Sequence, residues 1–125
     1  MTKGYVFRRE LDKVSAGATN EDLDFGPLEA HTVRAIEGIS VIDETTGATR
    51  AIVLAGRYGV ERQLMQSGAL TLGVVYRFTD GFYLGDRERV IVRFVGTTSG
   101  DVLKAIIDGE VKYYGEEPVL VDIGG

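Results

Sequence analysis

Alternating apolar and polar positions dominate the second half of this sequence. The alternation runs through residues 69–79 (ALTLGVVYRFT), 89–95 (RVIVRFV) and 102–108 (VLKAIID). A period of two over such lengths predicts half-buried β-strands, because successive side chains of a strand point to opposite faces. We expect the inward-facing apolar members of these strands to share one core: Leu70, Leu72, Val74, Val90, Val92, Phe94, Leu103, Ala105 and Ile107.

A longer strand is predicted over residues 31–43 (HTVRAIEGISVID). Its apolar parity slips at Glu37 and Gly38, which predicts a β-bulge at that point. The run 49–58 (TRAIVLAGRY) predicts another strand. Shorter candidate strands are found at 4–9, 62–65, 82–84, 110–114 and 119–123.

Turn signals separate these strands. The dipeptides Asp80-Gly81 and Asp108-Gly109 are typical of tight hairpins, and the segment 96–101 (GTTSGD) predicts a further hairpin turn. The chain has 17 glycines and 2 prolines, a usage that suits tight turns better than helices. Many short strands at regular spacing predict an all-β fold, a jelly-roll-like β-sandwich of two antiparallel sheets.

The predicted sandwich core covers residues 30–115. Residues 10–29 are the least periodic stretch, so we predict an N-terminal arm and loop at 1–29 and a C-terminal tail at 116–125. Residues 1–13 of the arm are net basic with an apolar stripe, the tail is acidic, and alternating segments of this kind add strands to exposed sheet edges. The predicted interface residues in the two segments are Tyr5, Phe7, Arg8, Arg9, Val119 and Val121.

Length and charge limit the classes of protein to which the chain could belong. Its 125 residues correspond to one domain. A net charge of −5 disfavours nucleic acid as a partner, since non-specific binding requires a basic surface. No segment approaches the roughly 20 apolar residues of a membrane-spanning helix, so no membrane partner is expected. The lack of cysteine excludes disulfides and thiolate metal sites.

Candidate catalytic and metal-binding residues are few. His31 is the single histidine, and a general base or a zinc site would need partners that the sequence does not supply. Glu21, Asp22 and Asp24 form an acidic cluster whose spacing matches no calcium loop. The 96–101 loop lacks the lysine of a phosphate-binding loop. We therefore predict no enzymatic activity, no catalytic residue, no metal site and no cofactor.

A family resemblance comes from three short motifs that follow the stretch ISVIDETTGATRAIVLAG. Residues 84–90 read LGDRERV, residues 94–103 read FVGTTSGDVL, and residues 107–109 read IDG. The pattern resembles that of small accessory proteins encoded among the structural genes of tailed bacteriophages. The resemblance implies a β-sandwich component of the virion, of the capsid-decoration or head-ornament type. It also implies coat protein subunits as partners, together with self-association.

The expected function is that of a non-enzymatic structural protein that stabilises the phage head within a virion assembled in the host cytoplasm. A tail, baseplate or head–tail adaptor protein is one alternative. A carbohydrate-binding or host-adhesion module is the other, because aromatic side chains on a sandwich face stack on sugar rings. The chain has 6 Tyr and 5 Phe but no Trp, and core packing is the expected role of these aromatic residues.

Overall fold

The structure is a computed structural model and describes residues 3–17, 19–27, 32–45, 49–85 and 87–113. Nine β-strands lie in these ranges. These residues contain no helix, and therefore none that is long and apolar enough to cross a membrane. The strands in chain order are β1 (Lys3–Val14), β2 (Asn20–Pro27), β3 (Thr32–Asp43), β4 (Arg50–Arg57), β5 (Arg62–Gln66), β6 (Tyr76–Phe78), β7 (Phe82–Leu84), β8 (Glu88–Val95) and β9 (Val102–Tyr113).

The strands form two antiparallel sheets. The first sheet has the order β1-β9-β3-β6, and β7 pairs with β3 beside β6. The second sheet has the order β2-β8-β4-β5. Every strand pair is antiparallel, which confirms the predicted all-β sandwich.

The core lies between the inner faces of the two sheets. Alternation places Val90, Val92 and Phe94 of β8 against Leu103 and Ala105 of β9, and each of these side chains is at most 1% exposed. Seven of the nine predicted core residues are buried. The two exceptions, Leu72 and Val74, lie outside the strands.

The predicted bulge in β3 is confirmed. The register between β3 and β9 shifts between Ile36 and Gly38, so that Glu37 is the extra residue. Gly109 of β9 lies opposite this bulge, where an added Cβ would overlap the backbone carbonyl oxygen of Ala35. The hairpin predicted at Asp108-Gly109 is therefore wrong, because β9 runs straight through this dipeptide. The glycine serves close backbone approach rather than a turn.

Two further predictions at the sequence level are corrected. The candidate strand 110–114 is continuous with β9 as far as Tyr113. The 96–101 turn is not a hairpin, because it connects β8 of the second sheet to β9 of the first sheet. Thr98 N donates to Asp101 Oδ2 at 2.8 Å within this crossover. His31 and the candidate strand 119–123 lie outside the described residues.

The N-terminal segment is part of the sandwich and not an arm. β1 pairs with β9 over its full length, from Lys3 opposite Tyr113 to Val14 opposite Val102. β2 is an edge strand of the second sheet, and its Leu23 and Phe25 are buried in the core. Most charged side chains in the described part of this segment are exposed, as expected on the outer face or at the edge of a sandwich, whereas Glu21 is buried.

An ion pair holds the short strand β6 across its neighbour. Arg77 of β6 reaches over β3 and makes a bidentate bridge to Asp108 of β9, with both donor–acceptor distances at 2.8 Å. Gly38 of β3 leaves space for this crossing, since a Cβ there would overlap the Arg77 guanidinium. Arg77 lowers the pKa of Asp108 by hydrogen bonding. β6 is therefore anchored by its side chain as well as by its three backbone pairs.

Candidate functional site

The sandwich has two lateral sides, and side chains join the sheets along the side where edge strands β1 and β2 meet. We call this the closed side. Arg9 Nη1 donates to the carbonyl oxygen of Phe25 at 2.7 Å, and its guanidinium lies 5.8 Å from the centre of the Phe25 ring. Lys13 Nζ lies 2.9 Å from Glu21 Oε1. These basic residues of β1 are thus engaged within the subunit.

The described residues of the predicted interface set do not lie together on one exposed arm. Phe7 packs against the core, and Arg8 stays exposed on the outer face of the first sheet. Tyr5 lies in β1, and its side chain is outside the described part of the chain. Val119 and Val121 lie outside the described residues altogether. An interface role for these residues stays a prediction.

The acidic cluster is dispersed by the alternation of β2. Glu21 points inward, whereas Asp22 and Asp24 point outward and pair with arginines of β8. Arg93 donates to both oxygens of Asp22 at 2.7 and 3.0 Å, and Arg89 donates to Asp24 at 2.6 Å. In the described ranges, no group of three or more possible metal ligands occurs.

Glu21 is the carboxylate with the most specific surroundings. Its oxygens accept hydrogen bonds from Lys13, from the backbone N of Ala16 at 2.9 Å and from Ser15 Oγ at 3.0 Å. These contacts, the bond from Lys13 first, lower the pKa of Glu21 from 4.5 to about 2 despite its burial. The residue fixes the β1–β2 connection to the closed side.

We expect the free energy of unfolding to fall as the pH drops from about 4.5 to about 2. A carboxyl group whose folded-state pKa is depressed contributes stability above its unfolded pKa, and this contribution is lost as it becomes protonated. Glu21→Gln should weaken the pH dependence across that interval. Denaturant titrations of both proteins at several pH values measure the free energy of unfolding. An equal dependence of this free energy on pH in the two proteins would contradict the role assigned to Glu21.

The other lateral side carries an exposed apolar loop in place of a predicted strand. Residues 71–76, the apolar loop, hold Leu72, Val74, Val75 and Tyr76, whose side chains are 43–57% exposed. The strand predicted over 69–79 is therefore reduced to β6. A turn at Gly73, with φ of +70°, interrupts it, and Val74 N donates to the Thr71 carbonyl at 3.0 Å.

The backbone of the apolar loop is held firmly although its side chains face outward. Gly73 N donates to the carbonyl of Asp43 at 3.0 Å, and Leu70 N donates to the carbonyl of Thr49 at 2.8 Å. The buried side chains of the two acceptor residues are themselves joined, because Thr49 Oγ1 donates to Asp43 Oδ2 at 2.6 Å. The buried Leu70 side chain adds an apolar anchor. The loop is thus presented on a fixed support.

A groove continues this side toward the opposite end of the sandwich. This edge groove, about 410 Å³ in volume, lies between β5 of the second sheet and β7 of the first sheet. β5 pairs only with β4 among the described strands, so its outer backbone edge is open. The side chains that give the groove its character are Arg57, Val60, Arg62, Leu64, Phe82 and Tyr83.

Two exposed arginines give the edge groove its charge. Arg57 and Arg62 have no ion-pair partner among the described residues, whereas Arg77, Arg89 and Arg93 are all paired. Sequence analysis did not identify these two residues. The available signal was that they enclose a short turn with exposed Tyr58 and Val60 between two predicted strands.

Comparison with known proteins finds only distant structural similarity. No protein-family model and no curated protein matches the chain. A solved chain described as "CBM4 structure and function" is similar with a TM-score of 0.41 at 14% identity, over 82% of this chain and 80% of that one. Chains of infectious bursal disease virus are similar at 11% identity and a TM-score of 0.41 for the Gt strain, and at 10% and 0.40 for the Gx strain.

The two virus chains are much longer than this one. The similarity covers 94% of this chain but 33% of the Gt-strain chain, and 90% of this chain but 42% of the Gx-strain chain.

Proposed function

We propose that the chain is a non-enzymatic structural protein of a tailed-phage particle, a decoration or auxiliary protein that binds coat subunits on the head. The observation that carries the proposal is the apolar loop. Of the ten exposed large hydrophobic residues described, eight fall between Tyr58 and Tyr83, and four of these are consecutive or nearly so in the loop. Contiguous exposed apolar side chains are typical of protein–protein contact surfaces.

The geometry of the loop suits docking onto a larger assembly. Because Asp43 and Thr49 hold its backbone, little conformational freedom is lost when a partner covers its side chains. Covering Leu72, Val74 and Val75 removes apolar surface from water at each subunit contact. A subunit that binds only the assembled coat stabilises the assembly by mass action, which is the mechanism proposed for the head.

The sequence motifs that resemble those of phage accessory proteins also support the proposal, and they contain residues that shape the connections between strands. In the structure, Gly96 and Gly100 have φ of +86° and +91° in the β8–β9 crossover, and Arg87 has φ of +64° where β7 leads to β8. These positions fix how the chain passes between strands. The motifs thus coincide with two connections between strands and do not include the apolar loop.

Replacement of two loop residues tests the docking role. We expect Val74→Ser/Val75→Ser to weaken binding to coat particles about tenfold or more, because losing two buried valine contacts exceeds the 1.4 kcal/mol that a factor of ten requires. Val6→Ser is the matched control, since Val6 is 78% exposed on β1 far from the loop. Co-sedimentation with particles lacking the protein measures both, and equal binding would refute the loop as docking element.

Position in the particle is tested by copy number. Mass spectrometry of purified virions should find the chain at a stoichiometry comparable to that of the coat protein if it decorates the head. A few copies per particle would favour the tail, baseplate or head–tail adaptor alternative. Absence from virions would refute the proposal as a whole.

A carbohydrate-binding or adhesion module is the second candidate, and exposed tyrosines favour it. Tyr58 and Tyr83 are 80% and 76% exposed near the edge groove, and amphipathic aromatic rings of this kind stack on sugars. A glycan array separates the two functions. Binding that is lost in Tyr83→Ala and retained in Val74→Ser/Val75→Ser would favour the module over the virion protein.

A further inference from the structure

A second cavity continues the edge groove along β5, on the same lateral side of the sandwich. It is about 340 Å³ in volume and lies between β5 of the second sheet and β6 of the first sheet. Leu64 lines both cavities, whereas Arg62 lines only the edge groove and Gln66 lines only the second cavity. The residues that line the two cavities form one surface, which we call the open side, with Leu64 at its middle.

β5 contains a β-bulge at this middle position. Its register with β4 shifts beyond Met65, which lies opposite Val53, so that Leu64 is the extra residue. The Leu64 side chain is 45% exposed. A bulge interrupts the row of backbone donors and acceptors on an edge strand, and it therefore disfavours the addition of another strand. A partner is expected to contact the open side through side chains.

The half of the open side that holds the edge groove is basic. Its charged lining residues are Arg57, Arg62 and Glu88, and the Glu88 carboxylate accepts a hydrogen bond from Gly85 N at 2.6 Å. The two arginines are exposed and have no ion-pair partner in the described part of the chain. This half therefore carries a net positive charge and offers two cations to the carboxylate of a partner.

The half of the open side that holds the second cavity is acidic. Its charged lining residues are Arg77 and Asp80. The bidentate bridge to Asp108 balances the charge of Arg77, whereas Asp80 is exposed and has no ion-pair partner within the described ranges. The carboxylate of Asp80 thus gives this half a net negative charge.

Exposed apolar side chains occur on both sides of Leu64. Val60 and Tyr83 line the edge groove, and Tyr76 lines the second cavity. A two-fold rotation about an axis at Leu64 places each half of one copy against the other half of a second copy, because an isologous contact uses the same surface on both subunits. Apolar side chains then meet apolar side chains, and the exposed arginines of each copy meet Asp80 of the other. The open side is thus complementary to itself.

We propose that two copies of the chain associate through their open sides about a two-fold axis at Leu64, with Arg62 of each copy paired with Asp80 of the other. The net charge of −5 opposes this association only weakly, because exposed charges more than about 8 Å apart are screened at physiological salt. The proposal does not rest on the proposed function, because Val74 and Val75 line neither cavity and the association of copies requires no particle.

Sedimentation equilibrium of the full chain tests the association. We expect dimers, and Leu64→Glu should raise the dimer dissociation constant about tenfold or more, because it places two carboxylates together at the axis. Val74→Ser/Val75→Ser should dimerise like the wild type, so that equal binding of this variant to particles would refute the coat-docking loop without affecting the dimer. A wild-type chain that stays monomeric at about 1 mM would overturn the proposal.

Charge exchange tests the pairing. Arg62→Asp and Asp80→Arg should each weaken association about tenfold or more, because like charges then face each other in both symmetric contacts. An equimolar mixture of the two variants should restore association, since the mixed dimer contains one native pair and one pair of reversed polarity. Arg50→Glu, an exposed arginine at the other end of β4, is the matched control and should dimerise like the wild type. A mixture that stays monomeric, or single variants that dimerise normally, would overturn the arrangement.

Discussion

Val92→Asp is expected to unfold the isolated protein. Val92 lies at the centre of β8, its side chain is 0% exposed, and its neighbours across the core are apolar. A buried carboxylate without a partner costs about 3–5 kcal/mol, which is a large share of the about 5–15 kcal/mol by which a domain is stable in total. Circular dichroism and denaturant titration should show loss of the cooperative transition.

The control for this variant places the same charge on the surface. Val6→Asp lies on the outer face of β1, where the side chain is 78% exposed. The change in unfolding free energy should stay below about 1 kcal/mol. A folded, cooperative Val92→Asp protein with wild-type stability would show that the two sheets do not share the core described above.

Gly109→Ala is expected to destabilise the protein by about 1–3 kcal/mol, the range for forcing added volume into a well-packed site. The new methyl group would overlap the carbonyl oxygen of Ala35, and it would also lie 3.1 Å from the backbone N of Glu37. Both neighbours are backbone of the β3 bulge, so no side chain can rotate away to relieve the contact. Thermal and denaturant unfolding measure the loss.

Gly68→Ala is the matched control for this effect. Nothing lies within 4 Å of a Cβ built at Gly68, and the backbone there is not in the left-handed region. Its effect should stay within about 0.5 kcal/mol. Equal stability of Gly109→Ala and Gly68→Ala would contradict the close backbone contact between Gly109 and the β3 bulge.

Strands buried on one face were predictable from the sequence because burial itself imposes the period of two. β8 alternates between core and surface over its whole length, and β3 reveals its bulge through a slip in that alternation. Asp108-Gly109 shows where local reasoning fails. The dipeptide has the composition of a turn, but its glycine is required by close approach to β3, a strand more than 70 residues earlier in the sequence.

The candidate docking surfaces were less predictable, because they depend on a turn and on side-chain pairing that the alternation does not show. Residues 69–75 alternate like a strand, yet the turn at Gly73 exposes Leu72 and Val74. Adjacent Val74 and Val75 would have put apolar side chains on both faces of a strand, which was the available warning. The charge of the edge groove depends on which arginines find partners. Pairing of Arg77 with Asp108 across β3 is a tertiary property that no local pattern encodes.

The central position of β9 has a consequence for how the protein folds during synthesis. β9 lies between β1 and β3, and its pairs join positions as distant as Lys3 and Tyr113. Until the ribosome has released β9, β1 has no strand to pair with among the described strands, and β3 lacks its longest neighbour. Loop-closure entropy for such distant contacts slows folding, so the first sheet forms after translation of nearly all the described chain. Nascent chains therefore present the unpaired edges of β1 and β3, which makes this interval the one most exposed to aggregation.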